Sequence, residues 1–579
     1  MNKEKLKKRI AASAKRIPAD LVIKGGRIID VFNLRIIEAD VAICDGMIVG
    51  IGEYSGKEEM DATGQYIAPA FIDAHVHIES SMASPREFAK IVLPHGVTTV
   101  ITDPHEIANV SGTEGISFML ENSEGLDLDV FVMLPSSVPA TSFENAGAVL
   151  NDVDLRPFYS HPRVLGLAEV MDFPAVRDRD EDMIAKIFTA LEQGKQIDGH
   201  CAGLDDDAIN IYRAAGIRTD HESVAKEEID IKISRGMYVL IREGTTTRNL
   251  AELLPMVTPY NARRFMFCTD DKEIDQLLEE GSIDYNVRLA VQLGMDPLQA
   301  IQLASLNAAE CYGLKTKGAV APGYVADLLF LDDLHSVKIA KVMKKGKVIV
   351  ENGRFIGDGD GSTVTIPEKL TNSVHLHEVS EKDLQLYIGG HKARVIEIVP
   401  EQAVTKPRIE EVATMDGYFI PDVERDLLKI AVIERHKRTG NVGAGIVKGI
   451  GLTSWAIAST VAHDSHNLVV AGTNDRDMLV AIQAIREIQG GQVVVHQGEV
   501  IAKLHLDIGG LMSSKPYDEI IAELKDLRKA LASISKHKQD HMFITFSFLS
   551  LPVIPEWKIT DQGLFDVVGF RHIPVFVEK

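Results

Sequence analysis

The sequence predicts an α/β protein: a (β/α)8 TIM-type barrel with a flanking β-sandwich and an additional C-terminal α/β domain. Three observations lead there. Eight short apolar runs alternate with amphipathic helical stretches over about 240 residues, the pattern of repeated βα units. Two β-rich segments punctuated by glycine bracket that array. A further stretch of mixed strands and helices follows a segment rich in Gly, Ser, Thr and Asp.

The chain opens on MNKEKLKKRI, which is basic and has no apolar run behind it. That reads as a helix with a solvated face, not a secretory signal. Within residues 1–68, DLVIKGGRIID and ADVAICDGMIVGIG alternate as short antiparallel strands. Residues 318–360 return to that pattern in YVADLLFLDDL and AKVMKKGKVIVENGRF, so the two segments are expected to form one sandwich. Between them, residues 69–317 form the expected barrel. Its strands fall near 70–77, 97–103, 129–135, 163–169, 196–201, 217–221, 236–241 and 264–270. DEDMIAKIFTALEQG (180–194) is a connecting helix, and two more follow the eighth strand. Residues 361–379 read as a linker. Residues 380–579 carry the expected strands QLYIGG, ARVIEIVP, GQVVVHQGEV and MFITFSFLS, and the helices DMLVAIQAIREI and DEIIAELKDLRKALASIS. The stretch SWAIASTV reads as helical.

Composition narrows the function. The chain has 579 residues, too many for one compact core. Its formal charge of −22 repels phosphate backbones and argues against nucleic acid as a partner. No apolar run approaches the ~18 residues needed to span a bilayer, so no membrane partner is expected. Cys44, Cys201, Cys268 and Cys311 form no C-x-x-C pair, which fits a reducing cytoplasm. A homodimer is the default expectation for a soluble enzyme.

Chemistry concentrates at the ends of the predicted barrel strands, where barrel enzymes build their sites. The first strand ends in His75-Val76-His77; residues two apart on a strand face the same way. The fourth ends in Glu169, with Ala168 facing outward in a simple alternating register. The fifth ends in His200, the sixth in His221 and the eighth in Asp270. Four imidazoles and two carboxylates exceed the three or four ligands that one metal needs. They suit two divalent ions sharing a bridge, with Glu169 as the bridging group. Mixed N and O ligands are compatible with Mn, Fe or Zn. Asp103, in TDPHE, is a candidate helix cap. Glu79, Ser80 and Ser81 follow the H-x-H, and His105 and Glu106 share the Asp103 loop. All five are candidates for substrate contact, and the first three also for orienting the metal ligands and equally for capping the first barrel helix. His463, Asp464 and His466 have metal-ligand types; a further metal site, a loop closing the barrel mouth and a domain contact are all open.

These features resemble the amidohydrolase superfamily over roughly residues 20–360: H-x-H after strand one, His at strands five and six, and Asp at strand eight. Within it, PAFIDAHVHIESS (69–81), GVTTVITDPHEIANV (96–110), GLAEVMDFP (166–174), DGHCAGL (198–204), DHES (220–223) and FCTDD (267–271) resemble the bacterial adenine deaminases. So do STVAHDSHNLVVAGTN (459–474) and LDIGGLMS (506–513). Many dinuclear relatives carry a carbamylated Lys at strand four; here it is Glu169, as in adenine deaminases. The resemblance implies one metal on His75, His77, Glu169 and Asp270 and another on Glu169, His200 and His221. It implies Mn(II) or Fe(II), with Zn(II) also compatible. It further implies adenine as substrate, hydrolysed to hypoxanthine and ammonia in purine salvage by a metal-activated hydroxide. For Asp103 it implies, instead of a cap, a region that touches the substrate or assists proton transfer. Asp270 is the candidate proton shuttle, because His221 cannot be a free base while it is a ligand.

Three other readings compete, one of them an enzyme acting on an aminated base other than adenine, such as a guanine or cytosine analogue. A cyclic-amide hydrolase of the hydantoinase or dihydroorotase kind would favour Lys at strand four. A non-catalytic binding protein on the same fold would have lost one of the ligand positions, and none is missing.

Overall fold

The computed structural model describes residues 2–357, 364–400, 402–535 and 541–577. Eight parallel strands close a barrel: β1 (Phe71–Val76), β2 (Val97–Thr102), β3 (Asp129–Leu134), β4 (Val164–Val170), β5 (Gln196–Gly199), β6 (Thr219–Asp220), β7 (Tyr238–Arg242) and β8 (Phe265–Cys268). β1 to β5 pair in sequence order, as do β6 to β8. The seams close through few backbone bonds: the Asp270 amide donates to the His75 carbonyl at 3.0 Å and the His77 amide to the Asp270 carbonyl at 3.3 Å, and the Arg218 amide donates to the Ile197 carbonyl at 3.0 Å. Side chains of Ile72, Ala74, Ile101, Met133, Ala168, Leu240, Met266 and Cys268 fill the interior. The barrel is therefore a packed core whose polar groups collect at one mouth.

Two strands depart from simple alternation where it matters. The register shifts between Asp73 and Val76 on β1 and between Leu167 and Val170 on β4. Such bulges re-aim side chains near strand ends. Ala168 thus joins the interior cluster instead of facing outward, while its neighbour Glu169 still turns into the mouth.

Flanking segments pair as one unit. Leu328–Asp333, after the barrel, runs antiparallel to Tyr66–Pro69, before it, in a seven-stranded sheet. A four-stranded sheet from residues 19–61 faces it across Ile23, Ile43, Ile48, Ile67, Phe330 and Met343. The opening basic stretch is a helix, Lys3–Ser13.

The segment read as a linker begins outside the described residues at 361–363. Its remainder, 364–379, holds a helix, Glu368–Thr371, and buries Leu370, Val374 and Leu376. Buried Arg435 donates to the Ser373 carbonyl at 2.9 Å and fixes this segment to the following sheet. That sheet has eight strands and packs the helices Asp475–Ile488 and Tyr517–Ile534. Three local expectations there are corrected. QLYIGG forms only an isolated bridge, Tyr387 to Tyr418. SWAIASTV contains a strand, Trp455–Ser459, central in the sheet and buried on both faces. MFITFSFLS is helical over Met542–Ser547 and continues as a 3-10 turn, Phe548–Ser550. It is buried on all sides, so neither a period of 2 nor one of 3.6 is visible in its sequence.

Candidate metal centre and substrate cavity

The barrel mouth gathers all six residues predicted as ligands, each of them buried. Nε2 of His75, Nε2 of His77 and Oδ1 of Asp270 form a triangle with edges of 3.1, 3.2 and 3.3 Å. Atoms each ~2.1 Å from one tetrahedral ion would stand ~3.4 Å apart. His77 donates from Nδ1 to the Asp103 carbonyl at 3.0 Å, so in the neutral ring its Nε2 lone pair points into the triangle. Glu169 spans to a second group. Its Oε1 lies 3.3 Å from His77 Nε2, and its Oε2 lies 3.0 Å from His200 Nδ1 and 3.1 Å from His221 Nε2. Glu169 Oε1 and His200 Nε2 are buried with no hydrogen-bond partner among the described residues. Orphaned donors and acceptors of this kind, converging with mixed N and O chemistry, fit a pair of divalent cations.

Electrostatics favour the ligand forms of the acids. Burial raises the pKa of Asp270, but Arg242, His75 and His77 outweigh it and hold the carboxyl well below its usual range. Burial likewise opposes ionisation of Glu169, and His221, His105 and His200 reverse it. Burial and the neighbouring His221 push His75 down to about 4. Arg242 donates to Asp270 Oδ2 at 2.7 Å and grips both oxygens of Glu222, which is held down to about 2 despite its burial.

A narrow cavity opens onto this centre. Its lining includes His77, His105, Glu106, Glu169, His200, His221 and Asp270 from the barrel, and His463, Asp464 and Phe548 from the C-terminal region. Its volume is about 40 Å³, against the ~10–15 Å³ that one water needs. Of the residues predicted to touch substrate, His105 and Glu106 line the cavity. Glu79, Ser80 and Ser81 do not. Glu79 accepts from the Ile107 amide at 3.2 Å, Ser81 donates to the Ile78 carbonyl at 2.6 Å, and Ser80 bonds Asp271. None of the three caps the helix Pro85–Val92, whose N-cap is Ser84. Asp103 does not line the cavity and is bonded to His105 beside it. Its Oδ1 accepts the His105 amide at 3.1 Å at the start of the helix His105–Ser111, and its Oδ2 meets His105 Nδ1 at 2.8 Å.

The Glu106, His463 and His466 atoms lie within 4.8 Å of one another, a spacing a metal could use. Proton placement argues otherwise. The Ala462 amide donates to His466 Nδ1 at 3.1 Å, so Nε2 of the neutral ring bears the hydrogen. That N–H donates to Glu106 Oε2, while His463 Nδ1 sits 2.7 Å from Oε1. The trio is a junction between the barrel and the C-terminal region, and His463 also stacks on Phe548 at a centroid distance of 4.7 Å.

Comparison with known proteins follows the same outline. An amidohydrolase family model matches residues 66–349, and a model of the adenine deaminase C-terminal domain matches residues 402–571. The adenine deaminase of Geobacillus kaustophilus is 54% identical, over 98% of this chain and 99% of its own. That of Halalkalibacterium halodurans is 52% identical over 98% of both chains, and that of Bacillus subtilis is 51% identical over 99% of this chain and 100% of its own. The chain belongs to the adenine deaminase family. Its fold is accordingly that of a metal-dependent amidohydrolase. The C-terminal family domain contains His463, Asp464 and Phe548, so in this member of the adenine deaminases both matched regions contribute to one cavity.

Sequence reasoning missed Arg242, Glu222 and Asp271, all of which line the cavity. Arg242 ends β7, so the strand-end rule that found His75 and Asp270 applies to it too.

Proposed function

We propose that this protein hydrolyses adenine to hypoxanthine and ammonia at two divalent cations. One would be held by His75, His77, Glu169 and Asp270, the other by Glu169, His200 and His221. Mn(II) or Fe(II) suits this mixed donor set, with Zn(II) also compatible. The observation that carries the reading is Glu169: its two oxygens face two separate imidazole pairs, the placement of a bridge. Four buried, unpaired cysteines support work in a reducing compartment. No helix among the described residues is long and apolar enough to cross a membrane.

The reaction replaces the C6–N6 bond of the purine with a C6–O bond and must move one of water's protons to the departing N6 and the other to ring N1. Bound divalent cations would lower the pKa of water there and make it nucleophilic near neutral pH. Asp270 is the proton acceptor in this scheme. Arg242 keeps it ionised and bonds Oδ2, so Oδ1, the oxygen beside His75 and His77, would both hold the cation and take the proton on its second lone pair. Protonation of N6 by the same group then lets ammonia leave. Glu106 and His105 are assigned to the purine edge. Burial opposes charge on His105, but Asp103, Asp464 and Glu106 around it hold its pKa well above the ordinary value, so it is a hydrogen-bond donor. Asp103 positions two rings, His105 through its carboxylate and His77 through its carbonyl.

Chelator-stripped protein is expected to release no ammonia from adenine. Reloading with Mn(II), Fe(II) or Zn(II) should restore turnover at two equivalents per chain. Adenosine, guanine, cytosine, hydantoin and dihydroorotate serve as competing substrates in the same ammonia or ring-opening assay. Failure to convert adenine with any of the three metals would falsify the assignment, and hydantoin or dihydroorotate opening would replace it with the cyclic-amide reading.

A further inference from the structure

The cavity has two sides of different origin. The ligand-type residues form one. The other comprises Ala403, His463, Asp464, Phe548, Leu551 and Ile554, all from the C-terminal region. Ala403, Phe548, Leu551 and Ile554 also pack against one another in a small hydrophobic cluster of their own. The wall is therefore a packed unit and not a fringe of loose side chains.

It is also pinned. Lys558 is fully buried, and its Nζ donates to the Ala403 carbonyl at 2.6 Å and to the Phe548 carbonyl at 2.9 Å. It has no carboxylate partner among the described residues, and burial pushes its pKa down to about 7. A buried lysine without a counter-ion is costly. Here its contacts join two stretches, at 403 and 548, that are distant in sequence and adjacent at the cavity. The wall is tied to the barrel as well. Glu106 holds His463 and His466, the Asn145 side chain donates to Asp561 at 2.6 Å, and Arg528 donates to Glu273 at 2.8 Å.

Purine is rigid and planar, with C6 on the six-membered ring and N9 on the far side of the five-membered ring. Placing C6 at the ligand cluster turns N9 toward the opposite wall. We propose that the wall formed by Phe548, Leu551 and Ile554, held in place by Lys558, is the specificity determinant that admits a free purine base and excludes purines substituted at N9. The proposal rests on the assignment of adenine as substrate. Phe548, Leu551 and Ile554 would touch the purine, whereas Lys558 acts through them as a positioning residue.

The test compares adenine, 9-methyladenine and adenosine as substrates of the metal-loaded full-length enzyme. The unaltered protein is expected to convert adenine and to leave both N9-substituted purines. Leu551→Ala and Ile554→Ala, singly and together, should raise kcat/KM for 9-methyladenine relative to adenine by ~10-fold or more, the scale on which one or two methylenes discriminate in an apolar pocket. Adenine should lose through KM more than through kcat. Lys558→Met should shift the same ratio without removing a lining side chain, and Leu551→Val gives a milder version if the alanine variants do not fold. Folded, fully metallated variants with an unchanged ratio would overturn the proposal. So would wild-type enzyme that converts 9-methyladenine as readily as adenine, a result that leaves the adenine assignment standing. Wild-type enzyme inert toward adenine would instead remove the assignment on which the proposal rests.

Discussion

Glu169→Gln is expected to lower adenine turnover by ~10³-fold or more, because a metal's contribution to charge stabilisation is several kcal/mol and each ~1.4 kcal/mol is tenfold in rate. The change preserves shape and removes one negative charge. That charge stands between two pairs of imidazoles, with Oε1 toward His75 and His77 and Oε2 toward His200 and His221. An amide offers one neutral oxygen and one N–H group in place of two anionic oxygens, and so cannot bridge two cations. Metal content is therefore expected to fall below two per chain after gel filtration. Inductively coupled plasma analysis reads that directly, alongside the ammonia assay. A variant that keeps two ions and turns over within tenfold of wild type would show that Glu169 is not the bridge.

The residues that meet at this centre were legible because of how parallel strands are built. Every barrel strand ends on the same face, so a polar residue at a strand end is placed without knowledge of the packing. His75, His77, Glu169, His200, His221 and Asp270 all satisfy that condition. Alternation alone is a poorer guide, as Ala168 shows: a bulge lets it pack inward while Glu169 beside it reaches the mouth. Arg242 escapes because the sequence pattern ends the seventh strand at 241, whereas the strand runs through Arg242. Element ends are the least certain part of a sequence reading. The cavity wall was illegible for another reason. Glu106 meets His463 and His466 across more than 350 residues of chain, and no local pattern encodes such a pairing. The segment 542–550 hid its helix in the same way, since a fully buried element shows no polar face to set its period.

Arg242→Met is the second change expected to have a large effect, on folding as well as on rate. Its guanidinium bonds Glu222 and Asp270 at once, and all three side chains are buried. Methionine keeps an unbranched apolar chain and removes the cation, leaving two carboxylates facing each other in a low-dielectric site. Removing one partner of a buried ionic group costs ~3–5 kcal/mol, mostly from the charge left behind. The denaturation midpoint of the metal-free protein at pH 7 should fall accordingly. Turnover should fall too, because Asp270 loses the bond that orients its second oxygen. The double variant Arg242→Met/Glu222→Gln separates charge from shape. Neutralising Glu222 removes one of the two stranded anions, so the double variant should recover a measurable part of the lost stability. Recovery of activity should be smaller, since Asp270 still lacks its partner. If Arg242→Met alone were as stable as wild type, the buried triad would not be the electrostatic frame that holds Asp270 ionised, and the proton-transfer role assigned to Asp270 would lose its physical support.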